Sequence, residues 1–228
     1  MLQKSEKIRL VSLVVVLAVG VAIGYRINTS RETKQLPILS PADINPELVD
    51  TSMQKVTHDH TIQDFTLVNQ DGKQVHLESL ENKVYVSDFF FTTCQGICLK
   101  MAVQMQRVYK AFENDDRVMF VSHTVMPEQD SVEALKAYAD KYHAHTDKWM
   151  FLTGDKKQIY DLARKSYFAV TTKGDGGKSD FIHTENFILI DSHHRIRGFY
   201  DGTDPKQIDQ LIDDIHLLLE EEGKQRRS

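Results

Sequence analysis

Cysteine is nearly absent from this chain: its 228 residues include two, Cys94 and Cys98. One close pair closes too small a loop to staple a fold, which excludes a disulfide framework. Proline is scarce as well. Of five, Pro37, Pro41 and Pro46 fall together among polar residues, leaving Pro127 and Pro205 for the rest of the chain. An excess of positive charge is also missing. Lys and Arg number 28 against 33 Asp and Glu, for a net charge of −5, and they are scattered. That removes the electrostatic footprint of a nucleic-acid binder. No internal repeat and no low-complexity tract occurs, and the one basic cluster, Lys224-Gln225-Arg226-Arg227, reads as a solvated chain end.

Hydrophobic residues make up 41% and charged residues 27%, the composition of a globular domain with a real core. The N-terminus stands apart from it. Leu10 to Tyr25 is sixteen residues without a charge, preceded by Lys4, Lys7 and Arg9 and followed by Arg26 and Arg31. A membrane span wants about 20 apolar residues. Ile8 and Ile27 extend the run if Arg9 and Arg26 snorkel to the interfaces. Ala22-Ile23-Gly24 offers the small residues of a signal-peptide cleavage site, but the apolar run is long for such a segment. The reading adopted is an uncleaved transmembrane helix with its basic tail in the cytoplasm. The soluble part then lies on the extracytoplasmic, periplasmic side. Residues 1–27 are the tail and membrane anchor, 28–55 a semi-extended linker, 56–221 the folded domain and 222–228 a tail.

Within the domain, Phe65 to Val68 and Val75 to Leu77 flank an Asp71-Gly72 turn, the signature of a hairpin. Val84 to Phe91 is a near-continuous apolar run, as in a central strand. Cys98 to Phe112 has helical spacing, with Met101, Met105, Val108 and Phe112 on one side. Val118 to Val125 reads as a strand. Ser131 caps a helix, Trp149 to Leu152 is a short strand, and Asp155 caps a helix running to about Tyr167. Phe187 to Asp191 and Arg195 to Tyr200 form a hairpin around Ser192-His193-His194, and Asp204-Pro205 starts a last helix. This alternation is that of an α/β sandwich.

Thr92-Thr93-Cys94-Gln95-Gly96-Ile97-Cys98 places the two cysteines at a strand-to-helix junction. A helix N-terminus lowers thiol pKa there, and Gly96 eases the tight turn. Residues i and i+4 share one helix face about 6 Å apart at Cβ, close enough to chelate one ion or to close a disulfide after a small adjustment. Cys94, ahead of the helix, is expected to be the more exposed sulfur. A lone local pair in an exported domain points to redox or metal chemistry rather than to inert core residues. Thiolates suit Cu(I), while an imidazole widens the choice to Cu(II) and zinc. Ten histidines compete for a third place. His58 and His60 flank Asp59 as an accessory metal possibility, and His193 and His194 sit at a hairpin tip. His183 differs, lying just before the strand Phe187 to Ile190, in a loop entered through Gly176-Gly177. In thioredoxin-like proteins that loop lies beside the active-site helix start and carries a cis-proline, which this chain lacks.

Taken together, the apolar N-terminus, Phe65-Thr66-Leu67 with Asp71-Gly72, Phe91 to Cys98 and Phe181-Ile182-His183-Thr184 resemble the Sco/SenC family of copper-binding proteins over about residues 60–215. The resemblance implies a thioredoxin-like fold with an extra β-hairpin. It further implies one copper ion, Cu(I) or Cu(II), held by Cys94, Cys98 and His183. The implied role is a metallochaperone, with or without a thiol–disulfide reductase activity, that helps build the dinuclear copper centre of cytochrome c oxidase. Subunit II of that oxidase is then the partner, and a thiol-reducing protein a second one. Family members often carry prolines where Gln95 and Leu99 stand, and an acid at the place of Met126, although Asp130 still follows. These departures leave the three ligands intact and alter their surroundings. Two other readings fit a reactive pair: a peroxiredoxin-like thiol peroxidase, from the Phe90-Phe91-Thr92-Thr93-Cys94 approach, and a copper or redox sensor. The i+4 second cysteine and His183 weigh against the peroxidase.

Overall fold

The computed structural model describes residues 15–22, 35–46, 49, 55–57, 60–170, 174, 176–177 and 179–225. The chain divides into two compact units, residues 1–35 and 36–228. In the first, residues 15–22 are helical and exposed. Most of the expected span from Leu10 to Tyr25 lies outside the described residues. Among those described, no helix is long and apolar enough to cross a membrane.

In the second unit seven strands form one mixed sheet. β1 (Thr66–Asn69) and β2 (Gln74–His76) make an antiparallel hairpin, with Gly72 at φ +73° in its turn. β3 (Val84–Phe90) runs into α1 (Ile97–Phe112), then β4 (Val118–Thr124), α2 (Val132–Lys141) and β5 (Trp149–Thr153). α3 (Lys156–Asp161) follows. β6 (Asn186–Ile190), β7 (Ile196–Asp201) and α4 (Pro205–Gln225) complete the chain. The strand order is β2-β1-β5-β4-β3-β6-β7. β3, β4 and β5 are mutually parallel; every other pairing is antiparallel. Parallel strands buried on both faces read as continuous apolar runs, which is why Val84–Phe90 has no exposed residue. Strand, helix and parallel strand, closed by a hairpin and a helix, make a thioredoxin-like sheet, with β1–β2 as the added hairpin.

The two faces of the sheet bury separate cores. Val86, Phe90, Phe120 and Trp149 pack under α1, α2 and α4, while Tyr85, Phe89, Val121 and Leu152 pack under the segment 159–170 and Ile182. The buried stripe of α1 contains Met101, Met105, Val108 and Phe112, the side its spacing predicts. Ser131 and Asp155 each accept a backbone N–H three residues on, as N-caps do.

Two segments depart from the sequence reading. The helix capped by Asp155 does not run on regularly to Tyr167. After Asp161 it widens into a π-turn, Leu162–Ser166, where Tyr167 N–H reaches Leu162 O (2.8 Å), and Phe168 then takes a left-handed φ of +49°. One extra residue per turn is a packing solution, and helical periodicity does not reveal it. Nor is all of 28–55 a free linker. Leu36, Ile44 and Val49 are buried, Leu39 N–H donates to Ile196 O (2.8 Å), and the compact unit begins at Leu36. Arg197 fixes this strap. Its guanidinium donates to the carbonyls of Leu36 (2.6 Å) and Pro37 (3.0 Å) and pairs with Asp191 and Glu221.

Candidate metal centre

β3 delivers the chain to the cysteines. Past Phe90 the strand ends, Cys94 N–H closes a turn onto Phe91 O (3.3 Å), and α1 starts at Ile97 with Gly96 as its N-cap. Gly96 has a negative φ, and a Cβ there would meet nothing within 4 Å, so this glycine is not demanded by space. The approach to the turn is clamped from outside. Asp130, buried on the loop after β4, accepts Thr92 N–H (3.2 Å) and Thr92 Oγ1–H (2.5 Å), and also the hydroxyl of Thr124. One carboxyl group thus serves three donors and ties the strand end to the loop after β4.

Both cysteines are reduced and both residues are buried, Cys94 8% exposed and Cys98 5%. Cys94 is the more exposed of the two, as its place ahead of the helix predicts, but by a small margin: it folds in against the helix start, where its sulfur meets hydrogen-bond donors. Burial is the largest single influence on the Cys94 thiol and pushes its pKa up. The Cys98 thiol and the N–H groups of Gly96 and Cys98 act the other way and together bring it below the ordinary value. Cys98 is pushed up, first by burial and then by its role as donor to Cys94. Beneath the pair, on the same face of the sheet, Asp88 accepts the Ser122 hydroxyl (2.5 Å), which in turn accepts Trp149 Nε1–H (2.9 Å). Burial raises the Asp88 carboxyl to about 7, against the Ser122 hydrogen bond that lowers it.

The loop that carries His183 runs alongside. Phe181 stacks edge-on against Phe91, ring centroids 5.6 Å apart, yet stays 46% exposed. Ile182 is buried, and Thr184 Oγ1–H donates to Ala169 O (2.7 Å). His183, between them, faces solvent. The structure thus brings Cys94 and Cys98 together and sets His183 on the neighbouring loop. It does not draw the three ligand atoms to within 4.8 Å of one another. Among the described residues one trio does meet that limit: Asp191, His193 and Glu222. Asp191 is already occupied, accepting the N–H groups of His193 and Arg195 and pairing with Arg195 and Arg197. Its lone pairs are taken up, so that trio is poorly placed to hold a cation.

Of the other histidines weighed, His58 lies outside the described residues, as does Asp59. His60 Nε2 lies 2.7 Å from Ser166 O, and its ring packs on Phe168. One of the ten competing histidines is placed where the sequence reading did not put it. His123 in β4 is fully buried between Phe65, Phe89 and Tyr167, with no partner for either ring nitrogen, and burial lowers its pKa to about 3. Its place inside the apolar run Val118 to Val125 was the available signal.

A thioredoxin-like domain with two reduced cysteines one helical turn apart, at the start of the helix after its central strand, belongs to the thiol-based class that exchanges disulfides or chelates soft metal ions. Comparison with known proteins narrows the class. A model of the SCO1/SenC family matches residues 53–220, and the chain belongs to that family. A SCO1 protein homolog from Bacillus subtilis is 36% identical over 159 residues, covering 68% of this chain and 81% of the relative. The structure of BsSco, in which a disulfide switch was identified and which is called a member of the Sco family of cytochrome c oxidase assembly proteins, is 34% identical. It superposes with a TM-score of 0.59 over 70% of this chain and 94% of its own. The Arabidopsis thaliana ScoI structure with copper bound is 27% identical, with a TM-score of 0.55 over 68% of this chain and 97% of its own.

Proposed function

We propose that this protein binds one copper ion through the Cys94 and Cys98 sulfurs with His183 as third ligand, and hands it on during assembly of the dinuclear copper centre in subunit II of cytochrome c oxidase. One observation carries the reading: two free cysteines share a helix start, with no disulfide between them. Copper bound in the relative from A. thaliana supports the choice of metal. Two thiolates suit Cu(I) unaided; an imidazole added from the adjacent loop extends the site to Cu(II). A site lacking a fourth protein ligand leaves an open edge for transfer by ligand exchange. The apolar, positively flanked N-terminus supports tethering of the domain to a membrane on the extracytoplasmic side.

Titration of the reduced full-length chain with Cu(I) and Cu(II) tests this. One ion per chain is expected, with a sulfur-to-Cu(II) charge-transfer band that changes in His183→Ala. A chain that takes up no copper, or binds it equally well without both cysteines, is incompatible with the proposal.

The unequal thiols favour a second activity in the same site, thiol–disulfide reduction. The Cys94 thiolate attacks a partner disulfide and releases one partner sulfur as thiolate. Cys98, deprotonated in the step, then displaces the other sulfur. The partner leaves as a dithiol and Cys94–Cys98 as a disulfide, the two electrons having passed to the partner; a thiol-reducing protein resets the pair. Cys98→Ser should trap the mixed disulfide at Cys94, detectable as a reductant-sensitive adduct.

A further inference from the structure

The loop bearing His183 is held by a device that neither the family match nor the copper-bound relatives name. Asp180, three residues before the histidine, accepts two parallel hydrogen bonds from Arg164, both 2.7 Å, in an almost fully buried pair: the side chains are 8% and 12% exposed. The same carboxylate accepts Gly176 N–H (2.7 Å), and a Cβ at Gly174 would collide with it. The loop is therefore wrapped around the Asp180 carboxylate, and position 174 has no room for a side chain. Tyr160 continues the attachment. Its hydroxyl lies 2.8 Å from Val125 O and 3.2 Å from Asp180 O and accepts the N–H of Ile182, while the Arg164 guanidinium sits over its ring at 5.4 Å. Downstream, Thr184 and Asn186 both donate to Ala169 O. The contacts at Gly176, Asp180, Ile182, Thr184 and Asn186 grip the loop on both sides of His183.

We propose that the Arg164–Asp180 pair is a clamp that fixes the path of this loop, making Asp180 a positioning residue that presents His183 to the cysteine pair. The role as ligand positioner rests on the reading of His183 as a copper ligand; the clamp itself does not. A two-pronged, charge-assisted contact holds direction as well as distance. Removal of Asp180 deletes both bonds of the fork and the acceptor of Gly176 N–H together, so the loop loses its attachment at this point. The imidazole would then spend less time within reach of the metal. Two sulfurs on a separate turn are untouched by that loss, so the effect falls on Cu(II), which needs the imidazole, and spares Cu(I).

The test uses the full-length chain in four forms: wild type, Asp180→Ala, Arg164→Lys and His183→Ala, with the double variant Asp180→Ala/His183→Ala. Arg164→Lys keeps the charge and stem but loses the fork, and serves if Asp180→Ala folds poorly. In metal-free protein, amide hydrogen exchange at residues 181–184 should quicken at least tenfold in Asp180→Ala and less in Arg164→Lys, with α1 and β3 unchanged. Cu(II) affinity should fall about tenfold and the charge-transfer spectrum should move toward that of His183→Ala, while Cu(I) affinity stays within twofold. The double variant should bind Cu(II) no more weakly than His183→Ala alone. Unchanged exchange at 181–184 overturns the clamp. Faster exchange with wild-type Cu(II) binding, where His183→Ala is impaired, overturns its role in positioning. Full Cu(II) binding by His183→Ala overturns the ligand assignment and the positioning role together, and the exchange data then still decide whether the clamp exists.

Discussion

The turn that carries Cys94 and Cys98 and the loop that carries His183 lie side by side but are built by opposite means. The turn is local. Its strand, its helix start and the Cys94–Phe91 hydrogen bond all lie within Val84–Phe112, while Asp130, Val125 and Phe181 reach in from other segments. The loop has no regular structure from 179 to 185, and its supports, Tyr160, Arg164 and Ala169, come from a separate stretch of chain. On the proposed reading, a site assembled in this way has a locally built two-sulfur half, which would set whether copper binds, and an imidazole half held by distant contacts, which would set which oxidation state is held.

The largest expected effect follows from the two-sulfur half. Cys94→Ser and Cys98→Ser should each remove tight binding of both Cu(I) and Cu(II), because a hydroxyl is a poor ligand for a soft ion. By contrast, His183→Ala should weaken Cu(II) by roughly 100-fold and Cu(I) by less than tenfold in competition titrations. Equal losses for the two ions would break the distinction between the halves.

Next comes Asp130, the buried carboxyl that supports the turn from another segment. Asp130→Ala leaves the half-buried Thr92 N–H and two threonine hydroxyls without their acceptor. A loss of about 2–4 kcal/mol in denaturant unfolding is expected. Copper affinity should fall for both oxidation states alike, in contrast to the Cu(II)-selective loss of Asp180→Ala.

The two sheet faces sharpen the contrast through pH. His123 lies on the face that supports the His183 loop and is held neutral, its pKa down to about 3. Only the unfolded chain takes up its proton between pH 6.5 and 3, so this histidine's contribution to stability is complete above pH 6.5 and is lost as pH falls. Asp88, under the cysteine helix, is raised to about 7 and works in the other direction. Its contribution is complete below about pH 4 and is lost as pH rises through 7. His123→Phe should therefore recover about 2–3 kcal/mol of the stability lost between pH 6.5 and 4.5, and Asp88→Asn should flatten the decline between pH 4 and 7, both read from urea midpoints.

The smallest effect belongs to the β6–β7 tip. His193→Ala and His194→Ala should leave Cu(I) and Cu(II) affinities within twofold of wild type. A larger change would mean that the trio of Asp191, His193 and Glu222 takes part after all.

These contrasts also mark what the amino-acid order discloses. The Val84–Phe90 strand, the buried stripe of α1, the Ser131 and Asp155 caps, the Pro205 helix start and the cysteine pair at a strand-to-helix junction all rest on residues within a few positions of each other. Local spacing encodes them, so they are legible. Asp180 and Arg164 are sixteen residues apart, Asp130 and Thr92 thirty-eight, and Arg197 and Leu36 one hundred and sixty-one, with no periodic pattern joining any pair. His183 was recognisable from its place before a strand and from the family motif, but its distance from the sulfurs depends on contacts of this long-range kind. The π-turn is hidden for a related reason. It redirects Tyr167 and Phe168 into the core, a tertiary demand that overrides the helical pattern of its own segment.

The Arg197 strap has a mechanical consequence. Any tension transmitted from the N-terminal 35 residues enters the domain at Leu36, where the next residues are bonded to the side chain of Arg197 and to the backbone of β7. β7 is the last strand on one edge of the sheet; β3, which feeds the cysteines, lies two places inward, beyond β6. Force entering at Leu36 would meet Arg197, with its partners Asp191 and Glu221, before the strand that leads to the cysteines.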